Sequence, residues 1–295
     1  MKIIYWCNVE NTPKPTIDQD ILIALRKVAE VKFFDIKQFD MEKLIKESES
    51  ADLFLSHGQV PSSDDVTSML MVERIQVVLQ SIKCKKVLWF MEKVWLNKGN
   101  IIEKLLPDVD RAYFTDETWV RKMKEYIYSL HPAAPQPLIG TYKPELACDI
   151  AYVGQLYSMR VKEYEFLKEH FGDGVKFFDN KFGQDLADLC ASAKIIVAPR
   201  FPFDNFFWSD RIYTVLSYGG LMVHQRTYGL QKEGFIDGQH YFDYEKDQDF
   251  IVLLNSLLDK DSDEMRKAIS ENGQEFVKKH TYVERVKQII NENKD

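Results

Sequence analysis

Short apolar runs alternate with amphipathic ones along the whole chain, the pattern of an α/β protein built on parallel sheets. In the first half, Lys2–Cys7, Val31–Asp35, Asp52–Ser56, Lys85–Phe90 and Arg111–Thr115 read as strands. Between them, Ile17–Ala29 places Ile21, Leu22, Leu25 and Val28 on one helical face, and Met41–Glu47, Asp64–Ser81 and Glu117–Tyr128 repeat that spacing. Thr16 and Asp18, Ser63 and Asp64, and Thr115 and Asp116 are residue types that start helices.

The alternation breaks at His131-Pro132-Ala133-Ala134-Pro135-Gln136-Pro137, which holds three of the ten prolines. Proline removes an amide donor and fixes φ, so the stretch reads as a stiff, extended connector. Beyond it the pattern restarts. Strands are predicted at Cys148–Val153, Val175–Phe178, Lys194–Ala198, Gly220–His224 and Gln239–Phe242. Helices are predicted at Ser158–His170, Gln184–Ser192, Trp208–Tyr218, Asp247–Leu258, Asp263–His280 and Thr281–Asn293. The expected architecture is two Rossmann-like α/β domains facing across a cleft: residues 1–135, a connector 136–147, and residues 148–295. The last helix is free in that scheme to return to the first domain. Ligands of such sheets collect at the C-terminal ends of the strands, so the chemistry belongs there.

Composition supports this reading. The 295 residues are 45% hydrophobic, enough for two cores and too apolar for a disordered chain. The net charge is −7, with residues 1–147 near neutral (20 basic, 21 acidic) and the rest acidic (19 and 25). A general coat for nucleic acid or anionic membrane is therefore excluded. Cys7, Cys84, Cys148 and Cys190 form no paired metal or redox motif. With no leader pattern and no long apolar run, a cytoplasmic protein without a membrane span is expected.

Two segments carry candidate chemistry. In Ala151-Tyr152-Val153-Gly154-Gln155-Leu156-Tyr157-Ser158-Met159-Arg160 a strand meets a glycine turn and then a helix. Free amide groups and the positive end of a helix would favour a phosphate there, and Arg160 would add a charged fork. The alternative is a glycine that only turns the chain and an arginine on a solvated face. In Phe201–Gly220, Asp204, Asn205 and Ser209 flank three aromatics before a helix that opens with Arg211. Arg160 and Arg211 together could bracket a diphosphate; the competing reading makes the aromatics core and Arg211 an ordinary ion pair. Gly219-Gly220 lets the chain leave the helix tightly.

These residues resemble the group 1 glycosyltransferase domain of the spore-protein CgeB type, within the GT-B superfamily. The likeness rests on YVGQLYSMR, RIYTVLSYGGLMV and ISENGQEFVKKHTYVERVKQII, and more loosely on VLWFMEK, AYFTDE and LHPAAPQ. It implies a hexosyl- or pentosyltransferase whose C-terminal domain holds a nucleotide-diphosphate sugar. Gly154, Gln155 and Arg160 would sit at the diphosphate, with Arg211, Tyr213 and Thr214 aligned to the family's R-x-F-E segment. Thr214 departs from the family's glutamate, and one hydroxyl cannot accept two ribose hydrogen bonds as a carboxylate can.

An inverting transfer needs a general base from the first domain; a retaining one does not. Glu10, His57, Glu92 and Asp116 fall at strand ends, and imidazole changes charge closest to neutral pH. A structural hydrogen-bonding role is the competing reading for His57, and helix capping the competing one for Asp116. Asp-x-Asp pairs at Asp18/Asp20, Asp108/Asp110, Asp247/Asp249 and Asp261/Asp263 read as helix starts or turns, so no metal and no cofactor beyond the donor sugar is expected. The acceptor is left open among a small metabolite, a glycan, a protein and a modified base in DNA. Lys83, Lys85, Lys86, Lys93, Lys98 and Lys104 keep a polymer phosphate in view. Thr214 also leaves room for a non-catalytic scaffold that binds a nucleotide or sugar.

Overall fold

The computed structural model describes residues 1–8, 16–57, 66–91, 99–122, 127–156, 159–198 and 207–294. They form two compact units, Met1–Pro132 with Tyr282–Asp295, and Ala133–Thr281.

The first unit is built on a sheet of six parallel strands in the order β2-β1-β3-β4-β5-β6. These are β1 (Lys2–Cys7), β2 (Glu30–Asp35), β3 (Leu53–His57), β4 (Lys85–Phe90), β5 (Arg111–Phe114) and β6 (Ile127–Ser129). Ile3 to Cys7 are all buried, as expected of a parallel strand covered on both faces. Helices α1 (Ile17–Val28), α2 (Met41–Ser48), α3 (Val66–Ser81), α4 (Gly99–Leu105) and α5 (Glu117–Lys122) connect the strands. Ile4, Trp6, Phe54, Leu88, Phe90, Ala112 and Phe114 share one core with Leu44, Val78, Leu79 and Ile102 from the helices on that side.

The start of α1 is closed by a capping box. Thr16 Oγ1 accepts the Gln19 amide at 3.2 Å, and the Gln19 side chain accepts the Thr16 amide at 3.1 Å. This leaves Asp18 with no capping duty.

The second unit has five parallel strands in the order β11-β10-β9-β7-β8: β7 (Cys148–Val153), β8 (Val175–Phe178), β9 (Ala193–Val197), β10 (Met222–Gln225) and β11 (Phe242–Tyr244). Alternation along β7 sends Ala151 and Val153 to one core and Ile150 and Tyr152 to the other. The first core is covered by α7 (Gly183–Cys190), α8 (Arg211–Ser217) and Phe276 and Val277 of α11 (Asp263–Val277). The second is covered by α6 (Met159–Phe171) and α10 (Asp247–Leu258). Residues Ala133 and Ala134 of the proline-rich stretch are buried, and Ala134 donates to the His280 carbonyl at 2.7 Å. At this point the stiff, extended stretch is packed against the second unit's own residues.

The final helix, α12 (Tyr282–Glu292), belongs to the first unit and packs on α1. Glu292 takes Arg111 Nη1 at 2.8 Å and the Tyr113 hydroxyl at 2.6 Å.

Three predicted elements are corrected. Glu117–Tyr128 is not one helix: α5 is described over Glu117–Lys122, and Ile127–Ser129 is a three-residue edge strand on β5. Trp208–Tyr218 shortens to Arg211–Ser217, because Trp208 is sealed in the core and Ser209 Oγ receives the Arg211 amide at 3.3 Å. The strand placed at Gln239–Phe242 lies at Phe242–Tyr244. Helices α4 and α9 (Tyr228–Lys232) carry too few turns to stand out as periodic patterns.

Candidate functional site

Each sheet reverses its strand order beside its first strand: between β1 and β3 in the first unit, and between β7 and β9 in the second. In an open α/β sheet the carboxyl ends at that reversal form the natural ligand crevice. Both places hold unusual polar chemistry.

In the second unit, β7 ends at Val153 and the chain turns through Gly154, whose φ of 148° is open to glycine and strained for other residues. Arg211, the first residue of α8, reaches back to donate from Nη1 to the Val153 carbonyl at 2.7 Å. Arg160, on the first turn of α6, donates from Nη1 to the Gln155 carbonyl at 3.4 Å. Two guanidinium groups from different helices thus flank one glycine, on carbonyls two residues apart. Gln155 is exposed, and both arginines are partly exposed.

The scaffold behind this turn is fixed by a buried carboxylate. Glu163 of α6 accepts the Tyr152 hydroxyl at 2.8 Å and the Tyr244 hydroxyl at 3.4 Å, joining β7 and β11 to the helix that carries Arg160. Burial first, and Glu163 second, push the Tyr152 phenol far up, so it stays a neutral donor.

The other predicted donor-site residues are placed less uniformly. Thr214 lies one turn after Arg211 on the same face of α8, and its hydroxyl donates to the Asp210 carbonyl at 3.2 Å. Ser209, one residue before the N-cap Asp210, accepts the Arg211 amide on its hydroxyl oxygen at 3.3 Å. Tyr213 does not join this group. It is fully buried, its hydroxyl receives Trp208 Nε1 at 3.3 Å, and its ring packs edge-on against Phe235. An aromatic at that position is core. Phe207 and Trp208 are also core, with Trp208 lying against Gly229, so tightly that a Cβ there would come within 2.0 Å of the indole. Asp204 and Asn205 lie outside the described residues.

In the first unit, His57 closes β3 and is only 7% exposed. Its Nδ1 is 2.9 Å from Asp18 Oδ1, which also accepts the Tyr5 hydroxyl at 2.9 Å. The His57 Nε2 atom is buried and has no hydrogen-bond partner among the described residues. Sequence reasoning placed Asp18 among helix starters and missed this contact. The signal was present: Asp18 stands three, four and seven residues before Ile21, Leu22 and Leu25, on the apolar face of α1. Asp116 accepts the Thr118 amide at 2.9 Å, as an N-cap does. Glu10 and Glu92 lie outside the described residues.

The lysines expected near a polymer acceptor sit elsewhere on the sheet. Lys85 and Lys86 open β4, Lys83 precedes it, and Lys104 ends α4 just before β5. All four are at the N-terminal edge of the strands, opposite the ligand edge. Lys93 and Lys98 lie outside the described residues. Among the described residues no cluster of three His, Cys, Asp or Glu is arranged to hold a metal ion, and no helix is long and apolar enough to cross a membrane.

Residues 143–291 match a family model described as glycosyl transferase-like. A search of curated proteins by sequence gives no match. Among solved structures, HepE of Anabaena in complex with UDP and glucose superposes with a TM-score of 0.68 at 11% identity, covering 99% of this chain and 98% of that one. An alpha-glucosyltransferase in complex with UDP-glucose and DNA containing an abasic site gives a TM-score of 0.70 at 10% identity, with both chains covered in full. The same enzyme name recurs, with the same TM-score and identity, for a complex with UDP and a 13-mer DNA containing an HMU base. At such identities the likeness shows the shared two-Rossmann, GT-B fold.

Proposed function

The chain belongs to the glycosyl transferase-like family, and from that premise we propose that it moves a sugar from a nucleotide-diphosphate sugar to an acceptor hydroxyl. The observation that carries this reading is the pair Arg160 and Arg211 on the Gly154 turn, at the strand-order reversal of the second unit. Glycosyl transfer leaves a diphosphate, and the charge that develops on it must be met by preorganised positive groups. Two guanidinium forks meet phosphate oxygens in the plane their own geometry prefers. In this reading they supply the charge that a divalent cation supplies elsewhere, so turnover needs no metal. UDP is the first nucleotide to try, since it is bound in the structures of the same fold. The first unit is assigned the acceptor. A cytoplasmic setting fits a nucleotide-sugar donor.

The test is a thermal-shift screen of UDP, UDP-glucose and other nucleotide sugars in the presence of EDTA, followed by donor-consumption assays. Binding to the native state raises the melting temperature in proportion to RT ln(1 + [L]/Kd), so a ligand at about 100 times its Kd adds about 2.7 kcal/mol. The expected result is a shift with at least one nucleoside diphosphate that Arg160→Ala and Arg211→Ala both remove. A chain that shifts with none of them is not a donor-dependent transferase. Binding without consumption supports the second reading, a scaffold of the same fold, which Thr214 favours because one hydroxyl cannot accept both ribose hydroxyls as the family's carboxylate would.

A modified base in DNA is the acceptor that the alpha-glucosyltransferase likeness brings forward. Of the six lysines weighed for a DNA backbone, the four that are described, Lys83, Lys85, Lys86 and Lys104, lie at the N-terminal edge of the first sheet.

A further inference from the structure

We infer that His224 selects the sugar of the donor: it accepts a hydroxyl of an uncharged sugar and turns away a sugar that carries a carboxylate. The inference rests on the sugar-transfer reading and names the class of donor that the second unit takes. Every residue it uses belongs to that unit.

The register of the sheet puts His224 beside the donor turn. Tyr152 of β7 pairs with Val197 of β9, and Val197 pairs with Val223 of β10. Val153 and His224, each one residue further on, therefore share the next row across the strand ends. Val153 carries the carbonyl that receives Arg211. The row also fixes the side. Val153 and Met222 lie in the core that α8 covers, and His224, two residues after Met222, comes out on that same face. Two strand spacings, about 10 Å, separate it from Val153. One sugar ring beyond a phosphate covers such a span.

The ring presents an acceptor. Its Nδ1 lies 2.6 Å from the Gln225 carbonyl, which can only accept, so Nδ1 holds the proton and Nε2 keeps a lone pair. Burial, the largest influence, lowers the pKa of His224 and outweighs the Gln225 carbonyl, Asp243 and Glu163, which pull the other way. The ring is therefore neutral at neutral pH. A neutral Nε2 has room for one hydroxyl. A ribose diol calls for the two oxygens of a carboxylate, so a hydroxyl of the transferred sugar is the better match.

The surroundings decide against a charged sugar. Asp243 stands beside His224 on β11, and Glu163 of α6 also acts on the ring. The arginine of this edge is already engaged. Arg226 Nε and Nη2 both meet Asp243 Oδ1, at 2.8 and 2.7 Å, and Nη1 reaches Glu245 at 3.4 Å. Tyr241 adds its hydroxyl to Asp243 Oδ2 at 3.1 Å. A carboxylate arriving here would meet a lone pair and two further carboxylates, with the nearby cation paired. A hydroxyl would meet the lone pair it needs.

The experiment measures, by titration calorimetry on the full chain, the affinities of UDP, UDP-glucose and UDP-glucuronate. The wild type should bind UDP-glucose at least about 10-fold more tightly than UDP-glucuronate, since like charges brought together are costly. His224→Phe keeps a ring and removes the lone pair. It should weaken UDP-glucose about 5- to 10-fold, the size of one neutral hydrogen bond, and leave UDP unchanged. The gap to UDP-glucuronate should narrow with it. His224→Gln, whose amide both accepts and donates, should keep most of the UDP-glucose affinity and gain UDP-glucuronate, which a merely structural histidine would not do. Equal weakening of UDP and UDP-glucose in His224→Phe, or a wild type that takes UDP-glucuronate as well as UDP-glucose, would overturn the inference and leave sugar transfer standing. If the Phe variant does not fold, His224→Gln carries the decision, and unchanged discrimination in it overturns the inference. A wild type that binds none of the three overturns it too, while the transfer reading falls only when no nucleotide of the wider screen binds.

Discussion

The two units reach the same place by the same topology and then do different things with it. In each, the chain starts in the middle of the sheet, adds a strand on one side, crosses to the other, and leaves the carboxyl ends of two strands open at the reversal. In the second unit that opening is cationic and partly exposed, with Arg160 and Arg211 resting on the carbonyls around Gly154. In the first it is buried and nearly apolar, with one carboxylate, one phenol and one imidazole in a short chain. Fold fixes the address, and a handful of side chains fix the chemistry.

The largest effect should come from Arg211. Replacing it with Ala removes charge from the leaving group and frees the Val153 carbonyl it holds, so transfer should fall at least about 100-fold, the cost of losing one preorganised donor (about 2.7 kcal/mol). Steady-state donor consumption measures this, and Arg211→Lys should recover little, because an ammonium cannot reproduce the planar fork. If Arg211→Ala keeps its UDP thermal shift, the contrast between the units loses its cationic side.

Next come two glycines that separate binding from folding. Gly154→Ala forces a side chain into a φ of 148°, a strain of about 1–3 kcal/mol at the turn itself, so UDP affinity should fall along with stability. Gly273→Ala, on α11, would bring a Cβ to 2.3 Å from the His240 carbonyl oxygen and 2.9 Å from Leu216 Cδ2. Overpacking of that kind costs about 1–3 kcal/mol and should lower the melting temperature with UDP affinity retained in the folded protein. Titration calorimetry beside thermal melts tells the two apart. Equal affinity losses would mean that the turn is not special.

These contrasts also show what the sequence makes legible. Strands such as Lys2–Cys7, Lys85–Phe90 and Cys148–Val153 are plain because a strand buried on both faces is a continuous apolar run. The glycine turn and its two arginines are legible as well, since a strand, a glycine and a helix follow one another directly. Asp18 was hidden because its partner His57 is 39 residues away and because a carboxylate near a helix start has an innocent explanation. Only the capping box, already complete without it, gave the alternative away. Ile127–Ser129 was hidden for another reason: an exposed edge strand of three residues continues the apolar spacing of the helix before it. Tyr213 looked like a ligand contact because family alignment preserves position, and position does not say which face of α8 is buried.

A smaller effect tests a carboxylate of the opposite kind. Asp188 of α7 is surrounded by donors: the Thr141 amide at 2.9 Å, Gln184 Nε2 at 2.8 Å, and the Lys143 ammonium. The Lys143 hydrogen bond first, then Thr141 and Gln184, lower it from its ordinary 3.8 to about 2. A depressed carboxylate stabilises the fold above its unfolded value and loses that contribution as pH falls through the folded one. The wild type should therefore melt higher than Asp188→Asn above about pH 4, with the gap closing towards pH 2. A gap that does not vary with pH would assign the difference to packing. Nothing in this behaviour should touch donor hydrolysis, because the described partners of Asp188 are Thr141, Lys143 and Gln184 of its own unit.

The smallest expected effect is the one that guards the argument about edges. Lys83, Lys85 and Lys86 stand where β4 begins, and all six strands of the sheet are parallel, so these charges lie a full strand length from the end that holds His57. A strand of six residues is about 20 Å long, about two Debye lengths at physiological salt, so their field at the ligand edge is largely screened. Changing Lys83 and Lys86 together to Gln should leave donor hydrolysis within about twofold and should not change the salt dependence of any DNA binding. If the double variant instead loses salt-sensitive DNA affinity, a polymer backbone runs along the N-terminal edge. The acceptor would then be recognised by a surface that the strand-order reversal does not predict. Such a result would set the two units apart more sharply, because only the second would keep all its chemistry at the carboxyl ends of its strands.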